Sequence, residues 1–214
     1  MNAITLNNVI PNVFADNRGL VSDIWGREVT LQRGGIYLVE AASGTGKSSL
    51  CSYVIGMRRD YAGSILFDGR DVRSFATSEW ARLRQHSLSL LFQELRLFPE
   101  LTAWENVQIK NHLTRFRSDA VIRQWFDVLG IGDKRDSLVG MMSFGQQQRV
   151  AMMRALVQPF DFLFVDEPVS HLDDGNAARM ADLVLTEARS QGAAIVATSI
   201  GKHLPLSYEH TFSL

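Results

Sequence analysis

The sequence predicts an α/β protein, a mostly parallel sheet whose strands alternate with helices, interrupted by an all-helical block. Three observations carry this. Short apolar runs rich in branched and aromatic residues alternate with amphipathic stretches of helical length. The late runs at 160–165 and 193–198 are apolar almost throughout, as strands buried on both faces are. From 101 to about 158 there are helical patterns only.

In chain order, residues 36–40 form a strand that leads into a helix from about Gly46, and strands at 64–67 and 87–92 flank a helix near 77–83. The helical block holds 103–116, 118–129 and 144–157, with Gly130 and Gly132 as stops, since glycine takes the left-handed conformation that ends helices. A strand at 160–165, a helix over 174–191 and a strand at 193–198 restore the α/β rhythm. The expected organisation is one domain, 1–214, with an inserted α-helical subdomain over 94–158.

Composition excludes several classes. With 46% hydrophobic and 21% charged residues and a net charge of -1, the chain is neither disordered nor disulfide-stapled. Its 22 basic and 23 acidic residues form no run that would bind nucleic acid. Cys51 is the single cysteine and has no internal partner, which fits a reducing compartment. The histidines (His86, His112, His171, His203, His210) lack metal-ligand spacing. No signal peptide starts the chain, and no apolar run approaches the roughly 18 to 20 residues of a membrane span. A cytoplasmic protein is expected, with any membrane role exercised through a partner.

The strongest local signal is the run 41–48, AASGTGKS, between the strand at 36–40 and a helix. Strand, glycine loop and helix follow in the order a phosphate cradle needs: backbone N–H groups and the helix N-terminus surround the phosphates, Lys47 reaches the β/γ oxygens, and the Ser48 hydroxyl can ligate Mg²⁺. Small residues such as Ser43, Gly44, Thr45 and Gly46 let the backbone itself approach the ligand. A second element is the strand FLFVDEP at 162–168, whose tip carries two carboxylates. Asp166 is placed to hold the metal through water, and Glu167 to orient or deprotonate an attacking water.

With these motifs the chain resembles the ATP-binding cassette (ABC) ATPases, the nucleotide-binding subunits of ABC transporters, over nearly all its length. Gln93 in LFQ resembles the glutamine of the loop that joins the core to the helical subdomain, contacts Mg²⁺ and senses the membrane partner. The run 101–107, LTAWENV, matches the family's habitual continuation. The run 142–149, MSFGQQQR, resembles the signature motif, and SHLD at 170–173 the loop that crosses to the opposite subunit. The resemblance implies a P-loop NTPase core with an N-terminal antiparallel β part. It implies that Phe14 stacks on adenine and that Ser49 joins the phosphate loop. It also implies that Ser143, Gly145, Gln146 and Asp173 contact nucleotide at a dimer interface. ATP and Mg²⁺ are the implied cofactors, and an integral membrane permease and a second ATPase subunit, in a homo- or heterodimer, the implied partners. The implied location is the inner face of the cell membrane. The segment from Gln93 through Val107 resembles subunits of the lipoprotein-release, macrolide-efflux and cell-division type.

Three positions depart from the family pattern. Ala41 replaces a loop glycine, Phe144 replaces the first signature glycine, and Ser199 stands at the position of the switch histidine. A phenylalanine adds bulk where backbone should approach phosphate and reaches φ > 0 only at a cost. Ser199 can still donate a hydrogen bond but presents no imidazole, and His203 reads as a surface residue rather than its substitute. The expectation is an ATPase that binds Mg-ATP and turns over more slowly than relatives with complete motifs. The alternative is a nucleotide-dependent binding switch with little hydrolysis. A soluble repair or translation ATPase lacks support, since there is one cassette and no basic run.

Overall fold

The computed structural model describes residues 1–17 and 19–214. Two sheets share the core. One is antiparallel, with β1 (Ala3–Pro11), β2 (Glu28–Gln32), β4 (Tyr61–Phe67) and β5 (Arg70–Asp71) in the order β2-β1-β4-β5. The other is parallel, with β3 (Ile36–Glu40), β6 (Leu88–Leu91), β7 (Phe162–Asp166), β8 (Ala194–Ser199) and β9 (His210–Ser213) in the order β6-β7-β8-β3-β9. The helices are α1 (Lys47–Val54), α2 (Thr77–His86), α3 (Ala103–Thr114), α4 (Asp119–Val128), α5 (Phe144–Leu156) and α6 (Asp174–Gln191).

The inner parallel strands are mainly apolar because successive side chains enter different cores, whereas the edge strand β9 is largely exposed. Leu163 and Val165 of β7 pack with α3 to α6, whereas Phe162 and Phe164 pack with α1, α2 and the antiparallel sheet. Between β6 and β7, which are neighbours in the sheet, the chain runs through α3, α4 and α5. Thr102 and Ser143 cap α3 and α5 through capping boxes with Glu105 and Gln146.

The run 64–67 departs from the expected βαβ rhythm. It belongs to β4 and pairs antiparallel with β1. Its partner was hidden by Asn7-Asn8, which breaks the alternation of β1. The register shifts between Asn7 and Ile10, Asn8 has φ 49, and a Cβ on Gly63 would lie 2.2 Å from the Asn8 carbonyl, so this bulge requires glycine opposite it.

Lys110 of α3 donates to Ser89 Oγ of β6 at 3.2 Å, and burial, with Arg154 nearby, lowers its pKa to about 7. In the unfolded chain the amine keeps its proton to about pH 10.4. Between those values the unfolded state binds more protons, so this residue's cost to stability fades as pH rises. Lys110→Met is therefore expected to be more stable than wild type at pH 7, with the advantage shrinking toward pH 10. Urea unfolding across that range checks this; an advantage independent of pH would contradict it.

Candidate functional site

Three adjacent parallel strands bring their C-terminal ends together. Glu40 of β3 is in register with Ser199 of β8, and Thr198 of β8 with Asp166 of β7. Ligands of open α/β sheets bind at this edge. The loop 41–46 leaves β3 here and enters α1, whose N-cap Gly46 has φ 102. A Cβ there would sit 3.1 Å from Trp25 Cζ2 and 3.3 Å from Phe14 Cε2. Trp25, buried, donates Nε1–H to the Thr45 carbonyl at 3.0 Å, so the loop rests on an aromatic floor. Ala41 is not among the positive-φ residues and donates its N–H to Ser199 O at 3.1 Å; alanine is accommodated there without strain.

Lys47 is buried, and its ammonium donates to the Ala42 carbonyl at 3.0 Å and the Ala41 carbonyl at 3.3 Å, while Glu167 Oε1 lies 3.7 Å away. Ser48 Oγ donates its proton to Asp166 Oδ2 at 2.6 Å and lies 3.3 Å from Gln93 Oε1. The other Asp166 oxygen accepts from Thr198. Glu167 holds φ 50, a left-handed conformation costing about 1–2 kcal/mol, and its N–H donates to Thr198 O at 3.2 Å. The backbone turn thus aims the Glu167 carboxylate at the loop instead of along the strand. Behind it, burial and the Asp166 charge push the Cys51 thiol up, so it stays protonated.

Ser43, Gly44, Gly46, Lys47, Ser48, Ser49, Gln93 and Glu167 line one cavity of about 240 Å³, together with Ile200. Ser49 Oγ also accepts from Arg58 at 2.9 Å. A larger groove of about 690 Å³ beside β5 and α2 contains none of the expected residues. Sequence reasoning missed Trp25, Thr198 and Ile200. Only Thr198, a hydroxyl ending an apolar strand beside the acidic one, left a readable trace.

Ser199 is placed otherwise than expected. It is fully buried, its Oγ accepts the Gly201 N–H at 2.9 Å, and Ile200, half exposed, occupies the cavity wall. His203 does not replace it: its ring contacts the Leu204 carbonyl and the Tyr208 edge.

Ser143, Gly145, Gln146 and Asp173 do not line this cavity and form a second group around the starts of α5 and α6. Ser143 caps α5, with Gln146 N–H donating to Ser143 Oγ at 3.3 Å and Ser143 N–H to Gln146 Oε1 at 2.9 Å. Phe144 is the first residue of α5 and is not among the positive-φ residues, so the expected backbone cost at this position does not arise. Its ring, 42% exposed, meets His171 edge-on at 4.4 Å. Space at Gly145 is tight, since a Cβ would lie 3.1 Å from the His171 carbonyl oxygen. Asp173 caps α6 by accepting the Asn176 N–H at 2.8 Å, which holds its carboxyl below the usual range.

Similarity to known proteins agrees with this geometry. A family model described as ABC transporter matches residues 26–170. The lipoprotein-releasing system ATP-binding protein LolD of Myxococcus xanthus is 31% identical over 92% of this chain and 90% of its own length. The uncharacterized ABC transporter ATP-binding protein YbbA of Escherichia coli is 32% identical over 82% of this chain and 78% of its own. A further uncharacterized ABC transporter ATP-binding protein, from Mycobacterium bovis, is 29% identical over 97% of this chain, which spans 63% of that relative's length. In fold, the dimeric bacterial ABC transporter cassette MJ0796 matches with a TM-score of 0.78 at 21% identity, over 92% of this chain and 88% of that one. The ADP- and Pi-bound dimer of the same cassette matches with a TM-score of 0.74 at 22% identity, over 92% and 87%. The family model, which covers most of the chain, and relatives above 30% identity along most of their length, on this fold, place the chain in the ABC transporter family.

Proposed function

We propose that the chain is the ATP-hydrolysing subunit of a transport system and drives a separate integral membrane permease. The observation that carries this is the convergence of Lys47, Ser48, Gln93 and Glu167, from three separate parts of the sequence, on one cavity, with Asp166 hydrogen-bonded to Ser48. The loop 43–49 takes the phosphates, with the Lys47 ammonium on the β/γ oxygens and Phe14 beside the base. Ser48, Gln93 and Asp166 present hydroxyl, amide and carboxylate oxygens, the hard donors that suit Mg²⁺. When bound, Mg²⁺ supplies charge neutralisation at the phosphates. Glu167 orients and deprotonates the attacking water.

Segment 94–158 acts as an inserted helical unit. Its α5 end, with Ser143, Gly145 and Gln146, and Asp173 beyond it form the face that closes on the nucleotide of a second cassette. No helix among the described residues is long and apolar enough to cross a membrane, which fits a subunit seated against the inner face of the membrane by its permease. The LolD relative and the segment from Gln93 through Val107 favour a permease of the lipoprotein-release type. Affinity purification of the chain from membranes tests this: a multi-span partner is expected, and recovery of the chain without any membrane protein would count against it.

The burial of Ser199 and the Phe144–His171 contact support a reduced turnover, and they favour a second reading in which nucleotide closure regulates a partner and hydrolysis is incidental. Removing the ring tests the cause of the reduced turnover. Phe144→Gly is expected to raise steady-state phosphate release severalfold if bulk at the closing face limits the cycle. Unchanged release would assign the slow step elsewhere.

A further inference from the structure

We propose that Arg154, at the far end of α5, is a positioning residue that fixes the Gln93 loop to the helix whose other end carries Ser143. The inference rests on the reading above, in which Gln93 helps to hold Mg²⁺.

Leu95 and Arg96 follow Gln93 at one remove and are consecutive non-glycine residues in the left-handed region, with φ 59 and 51. Side chains disfavour that conformation, and a run of two needs an external restraint. The Arg154 guanidinium supplies one. Its Nη2 donates to the Leu95 carbonyl at 2.5 Å and its Nη1 to the Arg96 carbonyl at 2.7 Å. A planar fork matches two successive carbonyls in a way that an ammonium cannot.

The charge is not there to pair with an acid. Arg154 enters none of the ion pairs among the described residues, and burial lowers its pKa to about 10. A guanidinium kept at that cost, with backbone carbonyls as its partners, serves the shape of the loop it holds.

The loop is anchored on both sides of this fork. Upstream, Gln93 Oε1 lies 3.3 Å from Ser48 Oγ, and the Leu95 N–H donates to Phe92 O at 3.0 Å. Downstream, Asn106 accepts the Phe98 N–H at 2.8 Å. Arg154 lies on the same uninterrupted helix that Ser143 caps, roughly 16 Å further along at 1.5 Å per residue. A tilt of α5 that moves Ser143 therefore moves the Leu95 and Arg96 carbonyls, and Gln93 with them. Leu95 packs in the same apolar cluster as α5, and Arg154 adds the directional, hydrogen-bonded part of the link.

The test compares Arg154→Gln and Arg154→Lys with wild type by backbone hydrogen exchange and by ATP affinity with and without Mg²⁺. Exchange of the amides of 94–97 is expected to quicken by at least about tenfold, since two hydrogen bonds from a charged group are lost and one alone is worth that much, with β7 unchanged. The gain in ATP affinity on adding Mg²⁺ should shrink by a similar factor, and affinity without Mg²⁺ should stay within about twofold. Lysine should restore little, because it keeps the charge and loses the fork. If the Gln variant does not fold, the Lys variant carries the same comparison. A general loss of stability without local exchange at 94–97, or an unchanged Mg²⁺ effect in a folded variant, overturns the proposal. If wild type itself shows no Mg²⁺ effect, the reading of the metal site fails, while exchange at 94–97 still reports on Arg154.

Discussion

Glu167→Gln is expected to lower ATP turnover by at least about a hundredfold while leaving ATP bound, because a positioned general base contributes roughly 10²–10⁴ to rate. Glutamine preserves the volume of the side chain and the left-handed turn that aims it, so the change isolates proton transfer from packing. It also removes the anion 3.7 Å from the Lys47 ammonium. With that competitor gone, Lys47 is freer to meet phosphate, and ATP affinity should hold or tighten. Phosphate release and equilibrium nucleotide binding, measured on the same preparation, check both halves. Turnover unaffected by the substitution would remove Glu167 from its role.

Lys47→Met is expected to act on binding. The ammonium is buried and satisfied by two loop carbonyls and the Glu167 carboxylate. Truncating one partner of such a buried charged contact costs about 2–5 kcal/mol, or a factor of roughly thirty to several thousand in affinity. Methionine fills the same channel, so the fold should survive. Titration with a fluorescent ATP analogue measures the loss. Affinity within about twofold of wild type would show that Lys47 does not contact phosphate.

The sequence made the parallel sheet legible because its strands are buried on both faces and read as continuous apolar runs, of which 36–40 is reproduced residue for residue by β3. The antiparallel sheet was harder to see. Asn7-Asn8 interrupts the alternation of β1, and in the parallel sheet the edge strand β9, short and largely exposed, lacks the apolar run of its neighbours. At the site, residues whose chemistry is local were legible: a glycine loop needs small residues, and two carboxylates at a strand tip stand out. Residues that act by place were not. Trp25 supports the loop across twenty residues of sequence, and Ile200 takes the cavity wall because the chain turns Ser199 inward to cap Gly201. The cost assigned to Phe144 was misjudged for a related reason. A glycine in a motif does not by itself reveal a positive φ, and here the position opens a helix, where any residue fits the backbone and only the ring matters.

In the proposed function, the loop 43–49 and the tip of β7 read the phosphates of a nucleotide. Calorimetric titration of the purified chain with ATP, ADP and AMP, each with and without Mg²⁺, tests it most directly. ATP and ADP are expected to bind, Mg²⁺ to tighten ATP binding, and AMP, with no β-phosphate for Lys47, to bind at least about tenfold more weakly, the loss of one charge-assisted hydrogen bond. Equal affinity for AMP and ATP, with no effect of Mg²⁺, would contradict it.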